Sequence, residues 1–297
     1  MPIFLSILLG ILFVAAGGVV GCLLQGADRI VTARMQGRQG PSVWQPYYDV
    51  RKLLAKDPKA SSPAMTMLTG LSLVFAVLAG AVFFAGGNFL LVVFTVTLSS
   101  LLFIMAAYVN PSPYAQIGGQ REIMQVMSYE PMVILVAVGL YLATGSFDTD
   151  SVFGQSGALV LREPLIFLGF LFILTIKLRK SPFDLSMAHH AHQELVRGTT
   201  TEMSGRTLAL VEITHWYENV LFLGWVTMFF VWSNPASVLL ALVAVALVWL
   251  LEIWIDNNFA RVKWQVMLKG AWGVALVAGV VNLALFFFVN NGGLIFI

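Results

Sequence analysis

Charge is scarce in this chain. Asp, Glu, Lys and Arg make up 11% of its 297 residues, where a soluble domain carries about 25%. That is too little to cover a water-exposed particle of this size, and it excludes an ordinary soluble enzyme. The net charge is only +2 and no basic run is interleaved with aromatics, so nucleic acid is not an expected partner. Cysteine is nearly missing. The lone Cys22 excludes an internal disulfide, a paired-cysteine metal site and a cysteine-held iron–sulfur cluster. No cofactor is therefore expected on this chain, and any redox centre it serves is expected elsewhere. Alternating ten-residue apolar segments are absent, which excludes an outer-membrane barrel. No internal repeat is visible, which speaks against an inverted-repeat transporter. Met1-Pro2-Ile3-Phe4 carries no basic stretch, so the first apolar run is expected to remain as a span rather than act as a cleaved leader.

Apolar residues are abundant instead, at 59% of the chain. A spanning helix needs about 20 of them in succession, each rising about 1.5 Å across about 30 Å of hydrocarbon. Eight stretches are read as spans: residues 3–24, 64–85, 89–109, 123–144, 163–176, 208–232, 237–255 and 267–289. The expected fold is all-α, a polytopic membrane protein with eight transmembrane helices and a single integral membrane domain over residues 1–297. The fifth stretch is short, and Lys177, Arg179 and Lys180 have to snorkel from its end.

Basic residues orient the chain. On an eight-span count, every Lys and Arg except Arg162 falls on one side, in the loops 25–63, 110–122 and 177–207, between the last two spans and, for Lys269, at the near end of the last one. The positive-inside rule makes that side cytoplasmic and puts both termini outside. Residues 47–54 are expected to form a short amphipathic helix, with Arg51 and Lys52 towards water or lipid headgroups. The long cytoplasmic loops are where function or partners are expected.

Ionisable groups at lipid depth are costly, so each is a functional candidate. Glu130 lies in the fourth span and is followed by Pro131, which removes a helix hydrogen bond and permits a kink. Glu212, His215 and Glu218 recur every three residues in the sixth span and trace a slowly drifting stripe. Acids and histidine suit proton passage because both protonation states are accessible to them. Glu252 and Asp256 share a face at i, i+4 in the seventh span. They are read either as relay groups or as an interfacial pair answering Arg261 and Lys263. His189, His190 and His192 stand beside Glu194, but on a helix His190 points away from the other two and His215 is the one further histidine. That ligand shortage favours a polar, titrating segment over a metal site.

Three blocks carry a family resemblance. Arg34-Met35-Gln36-Gly37-Arg38-Gln39-Gly40-Pro41 resembles the first cytoplasmic loop of the membrane subunit that joins the two arms of respiratory complex I. Gly119-Gln120-Arg121-Glu122 and Tyr129-Glu130-Pro131 resemble its second loop and fourth helix. Pro182-Phe183-Asp184-Leu185, Gln193-Glu194-Leu195-Val196-Arg197-Gly198 and Thr201-Glu202-Met203-Ser204-Gly205 are similar to its third loop. The order and the flanking spans agree over essentially the whole chain. Where complex I relatives have a run of glutamates, this chain has a longer stretch bearing the histidines. Together with His215-Trp216-Tyr217-Glu218, that resembles the energy-converting nickel–iron hydrogenases of the Ech type.

The resemblance implies a non-catalytic membrane anchor beneath soluble hydrogenase large and small subunits and an iron–sulfur subunit, next to an antiporter-like membrane subunit and membrane lipids. The Ni–Fe centre and iron–sulfur clusters belong to those other subunits. Electrons from ferredoxin then reduce protons, and the energy released drives H⁺ or Na⁺ outward across the cytoplasmic membrane. By the same resemblance Glu130, Asp184, Glu194 and Glu202 match acidic positions of the family's proton path, Glu212 and Glu218 fall in its acidic sixth helix, and the histidines stand in for missing glutamates. Arg34, Arg38, Arg121 and Glu122 are expected to face docked soluble subunits; for Arg34 an anchor to lipid phosphates is the alternative. Rival readings are a quinone-site subunit of a complex I-like oxidoreductase, a stand-alone secondary transporter and a mere scaffold.

Overall fold

The structure is a computed structural model, described here over residues 3–57, 62–180, 182–183, 186 and 197–291. Helices follow one another as α1 (Ile3–Met35), α2 (Gln45–Leu54), α3 (Pro63–Phe84), α4 (Phe89–Tyr108), α5 (Pro113–Thr144), α6 (Leu159–Arg162), α7 (Pro164–Lys177), α8 (Gly205–Met228), α9 (Ala236–Asn258), α10 (Trp264–Val274) and α11 (Val281–Asn291), with a π-helical stretch Ala275–Val280 joining the last two. Among the described residues, six helical stretches are long and apolar enough to cross a membrane: α1, α3, α4, α5, α9 and the α10–α11 rod. The chain is thus a multi-pass helical membrane protein. α7 has only 14 residues, about 21 Å of rise, and α8 carries the charged stripe.

Local chemistry sets several of the starts. Ser62 accepts a hydrogen bond from Met65 N (3.2 Å) ahead of Pro63, and Asn88 accepts one from Leu91 N (3.2 Å). Both are N-cap residues that satisfy an orphan amide.

Two helices run past their expected ends. α1 continues to Met35, taking in part of the expected loop 25–63, until Gly37 at φ +69°. α5 begins at Pro113 rather than near residue 123 and absorbs most of the expected loop 110–122. Backbone hydrogen bonding continues wherever no breaker intervenes, whether the side chains suit lipid or water, so hydropathy marked only the lipid-depth part. The 33 residues of α1 span about 50 Å against about 30 Å of hydrocarbon. The amphipathic helix expected at residues 47–54 is α2, which buries Pro46 and Val50 and exposes Tyr47, Tyr48, Arg51 and Lys52.

Packing relies on small and polar groups, as befits helices that gain little from apolar burial in lipid. Between α3 and α4, Ser72 Oγ donates to Ser99 O (2.9 Å) and Ser99 Oγ donates to Ser72 O (2.8 Å). α5 lies antiparallel to α7. Going away from the basic end, Glu122 meets Arg179, Met132 meets Gly169 and Gly139 meets Glu163. Between those polar levels lies a layer of fully buried apolar side chains, with Met132, Val136, Ile166, Phe170 and Trp225 each at most 2% exposed.

Candidate functional site

The basic end of the bundle is held by acids from other helices. Arg179, two residues past α7, takes φ +56°, a left-handed conformation where glycine is usual after a helix. That turn sends its guanidinium inward. Nη2 donates to Glu122 Oε1 (3.0 Å) and Nη1 to Glu122 Oε2 (3.3 Å), a bidentate pair. Ser186 Oγ donates to the same carboxylate. Burial works against the charge on Arg179, but Glu122 and Glu218 outweigh it, and its pKa moves up.

Lys177 lies on the same side, with Nζ 3.5 Å from the Tyr129 ring centroid and 4.8 Å from that of Phe222, a cation–π seat. Glu218 is the carboxylate acting on it most strongly, followed by Glu130 and Glu122. Lys180 bonds Asp28 of α1 and lies 3.6 Å from Asp256 of α9. The three cations expected to snorkel towards headgroups therefore turn into the protein, because carboxylates there offer charge partners that lipid tails do not.

These groups border a cavity of about 740 Å³. Glu212, His215 and Glu218 line it from α8, Asp28 from α1, and Lys177, Arg179 and Lys180 from the end of α7; α2 closes another side with Asp49 and Lys52. The stripe read at every third residue does converge on one space. Beyond it lies a void of about 10 Å³, bordered by Thr69, Ser72, Ser100 and Thr214 and sharing Arg179, His215 and Glu218 with the larger cavity. That is about the size of one water probe, among groups able to hydrogen-bond it. Physically, the arrangement is a charged, water-accessible chamber whose inner wall carries an acid, a histidine and two cations.

Other expected site residues fall as follows. Glu130 is half-buried on α5, within electrostatic reach of Lys177. Glu202 is half-buried in the turn before α8, and Arg34 and Arg38 are exposed at the end of α1. Arg121 is half-buried. Glu122 departs from expectation. It is only 5% exposed and faces Arg179 rather than a docking surface, because the helical extension of α5 turns it into the bundle. Asp256 lies 3.6 Å from Lys180, in the turn after α7, while Glu252 is 1% exposed and neither of its carboxylate oxygens is hydrogen-bonded among the described residues. Asp184, His189, His190, His192 and Glu194 lie outside the described residues. Sequence reasoning missed Lys177, Arg179, Lys180, Tyr129 and Asp28 as members of the site. The available signal was three cations at the end of an apolar helix too short to need them as anchors.

The third loop is seated on α5 by two glycines. A Cβ on Gly118 would lie 2.3 Å from Thr199 N, and one on Gly198 would lie 1.8 Å from Ser186 O. Such separations require a bare backbone.

Fold and site together define a helical membrane subunit with a charged chamber opening at its basic end. Known proteins agree. The family model described as NADH dehydrogenase matches residues 7–287. The NuoH-type subunit of NADH-quinone oxidoreductase from Anoxybacillus flavithermus is 32% identical over 95% of this chain and 92% of its own length. Its counterpart from Geobacillus thermodenitrificans is 32% identical over 93% and 90%. A chain in the structure of the membrane-bound sulfane sulfur reductase, an archaeal respiratory membrane complex, superposes with a TM-score of 0.81 over 95% of this chain and 100% of its own, at 22% identity; that likeness speaks to the fold. The chain belongs to the NADH dehydrogenase subunit 1, or NuoH-type, family, whose members are membrane subunits of respiratory complexes.

Proposed function

We propose that this chain is the membrane-anchor and coupling subunit of a ferredoxin-linked, proton-reducing energy-converting hydrogenase, and that it forms part of the H⁺ or Na⁺ path from the soluble module into the membrane. In this reading it crosses the cytoplasmic membrane eight times, with α7 and α8 among the spans, the basic loops inside and both termini outside. Its partners are the hydrogenase large and small subunits with their Ni–Fe centre, an iron–sulfur subunit and an antiporter-like membrane subunit.

The observation that carries proton passage is the convergence of Glu212, His215 and Glu218 with Lys177 and Arg179 on one chamber. Redox events in the docked module change the local field. Glu218, held between two cations, and Glu130, near Lys177, answer by binding or releasing a proton. The hydrogenase assignment is supported by the histidine-bearing stretch where complex I relatives carry glutamates.

A quinone-reducing complex is the second reading. A chamber of about 740 Å³ falls within the range of small-molecule sites, and the relatives quoted above are named for quinone. Its charged lining argues the other way, since an apolar ring and tail would have to strip water from ionised groups. Metal and subunit analysis of the native complex, with quinone added to the turnover assay, is the test. Nickel with iron–sulfur and no quinone stimulation is the expected result. Absence of nickel, or turnover that rises with quinone, overturns the hydrogenase reading. Ion transport by the purified chain alone in liposomes would instead indicate a self-sufficient transporter.

A further inference from the structure

Glu163 stands apart from the chamber. It immediately precedes α7 at the end opposite the basic loops, some 20 Å along the helix from Lys177. It is 1% exposed, and its Oε1 has no hydrogen-bond partner among the described residues. Room for it is made by Gly139 of α5, where a Cβ would lie 2.3 Å from Glu163 Oε2. Arg162, the charged neighbour, points elsewhere: its Nη1 donates to Gln155 Oε1 (2.8 Å) and Ala143 O (3.3 Å). A recess shaped around a buried acid that no cation or donor satisfies at Oε1 has no evident packing purpose.

The neighbouring span supplies a second unsatisfied group at the same turn. Asn282, 4% exposed, accepts a hydrogen bond from Leu165 N at Oδ1 (3.3 Å), and its Nδ2 has no partner among the described residues. One free acceptor and one free donor thus flank residues 163–165. Water has the chemistry to serve both, giving a proton to the acid and accepting one from the amide. A sodium or other hard cation does not fit. It requires several oxygens, and the asparagine oxygen is already engaged while its NH₂ presents positive hydrogens.

We propose that Glu163 is a proton-binding site served from the side of the membrane opposite the soluble module, with a water held between it and Asn282. The buried layer of Met132, Val136, Ile166 and Phe170 separates it from Glu130 and Glu218. The chain then carries two acid levels, each facing its own bulk phase. This inference rests on the proton-passage reading and adds the acid on the far side. It also assigns H⁺ rather than Na⁺ to that level.

The experiment uses the assembled complex in sealed, uniformly oriented vesicles. Infrared difference spectra follow the carboxylic C=O stretch while pH is stepped on one side at a time, and sodium chloride is added separately at constant pH. The expected result is a band that follows pH on the side away from the soluble module, ignores sodium and is lost in Glu163→Gln. A second variant, Asn282→Leu, removes the amide donor and is expected to shift both the band and its titration midpoint. The proposal is overturned if the band persists in Glu163→Gln, follows pH on the soluble-module side, responds to sodium, or stays unmoved in Asn282→Leu. Proton pumping by Glu130→Gln, recorded in parallel, reports separately on the underlying reading. Pumping that survives there removes proton passage through the chamber while leaving the Glu163 titration standing or falling by its own spectra.

Discussion

Arg179 grips Glu122 through both guanidinium nitrogens, at 3.0 and 3.3 Å, across 57 residues of sequence. The pair fastens the turn after α7 to the first third of α5, and its Arg179 borders the chamber. The backbone at Arg179 sits where glycine would be more comfortable by about 1 kcal/mol, so the side chain must repay that strain.

Arg179→Gly therefore separates backbone from side chain. Relief of the left-handed turn is small, whereas stranding Glu122 in the interior costs about 3–5 kcal/mol. The complex is expected to lose thermal stability in detergent, read by size-exclusion after heating. Combining Arg179→Gly with Glu122→Gln should restore much of the loss. A stable single variant would mean the pair is incidental.

Glu218→Gln keeps the shape of the side chain and removes its proton exchange. In the hydrogenase complex proposed above, hydrogen evolution from a soluble donor is expected to continue while proton uptake into vesicles is abolished. Equal loss of both would assign Glu218 to assembly.

Lys180 joins Asp28 of α1 and Asp256 of α9. Lys180→Met leaves two carboxylates facing one another without their shared cation, at a cost of about 2 kcal/mol. Asp28→Asn added to it should recover part of that. A double-mutant cycle on thermal stability checks the coupling.

Gly198→Ala places a methyl carbon on Ser186 O, at 1.8 Å before relaxation, on a backbone at φ +32°. The backbone at Gly198 and at Ser186, both in the third loop, must move apart. Faster proteolytic cleavage between α7 and α8, with the rest of the chain unaffected, is the expected signature, and Gly118→Ala should reproduce it from the opposite side.

Much of this was legible in the sequence. The stripe Glu212, His215 and Glu218 could be read because its spacing is local and helical geometry carries it onto one space. The apolar helices announced themselves by run length. Lys177 and Arg179 could not be placed, since their roles depend on how α5 lies against α7, a pairing fixed by side-chain fit rather than by any local period. Glu122 was misjudged for a related reason: hydropathy stops at the lipid boundary, whereas the helix bearing it does not. Glu163 gave even less warning, because Gly139, which makes its recess, is an ordinary small residue in an apolar run.

The layer of close-fitted methionine, valine, isoleucine and phenylalanine side chains between the two acid levels has a bearing on the complex at rest. A continuous file of water there would short the membrane whenever electrons were not flowing. If the chain serves proton passage as proposed, hydrocarbon in its place makes an idle complex an insulator, so that a gradient across the membrane does not drain through this layer.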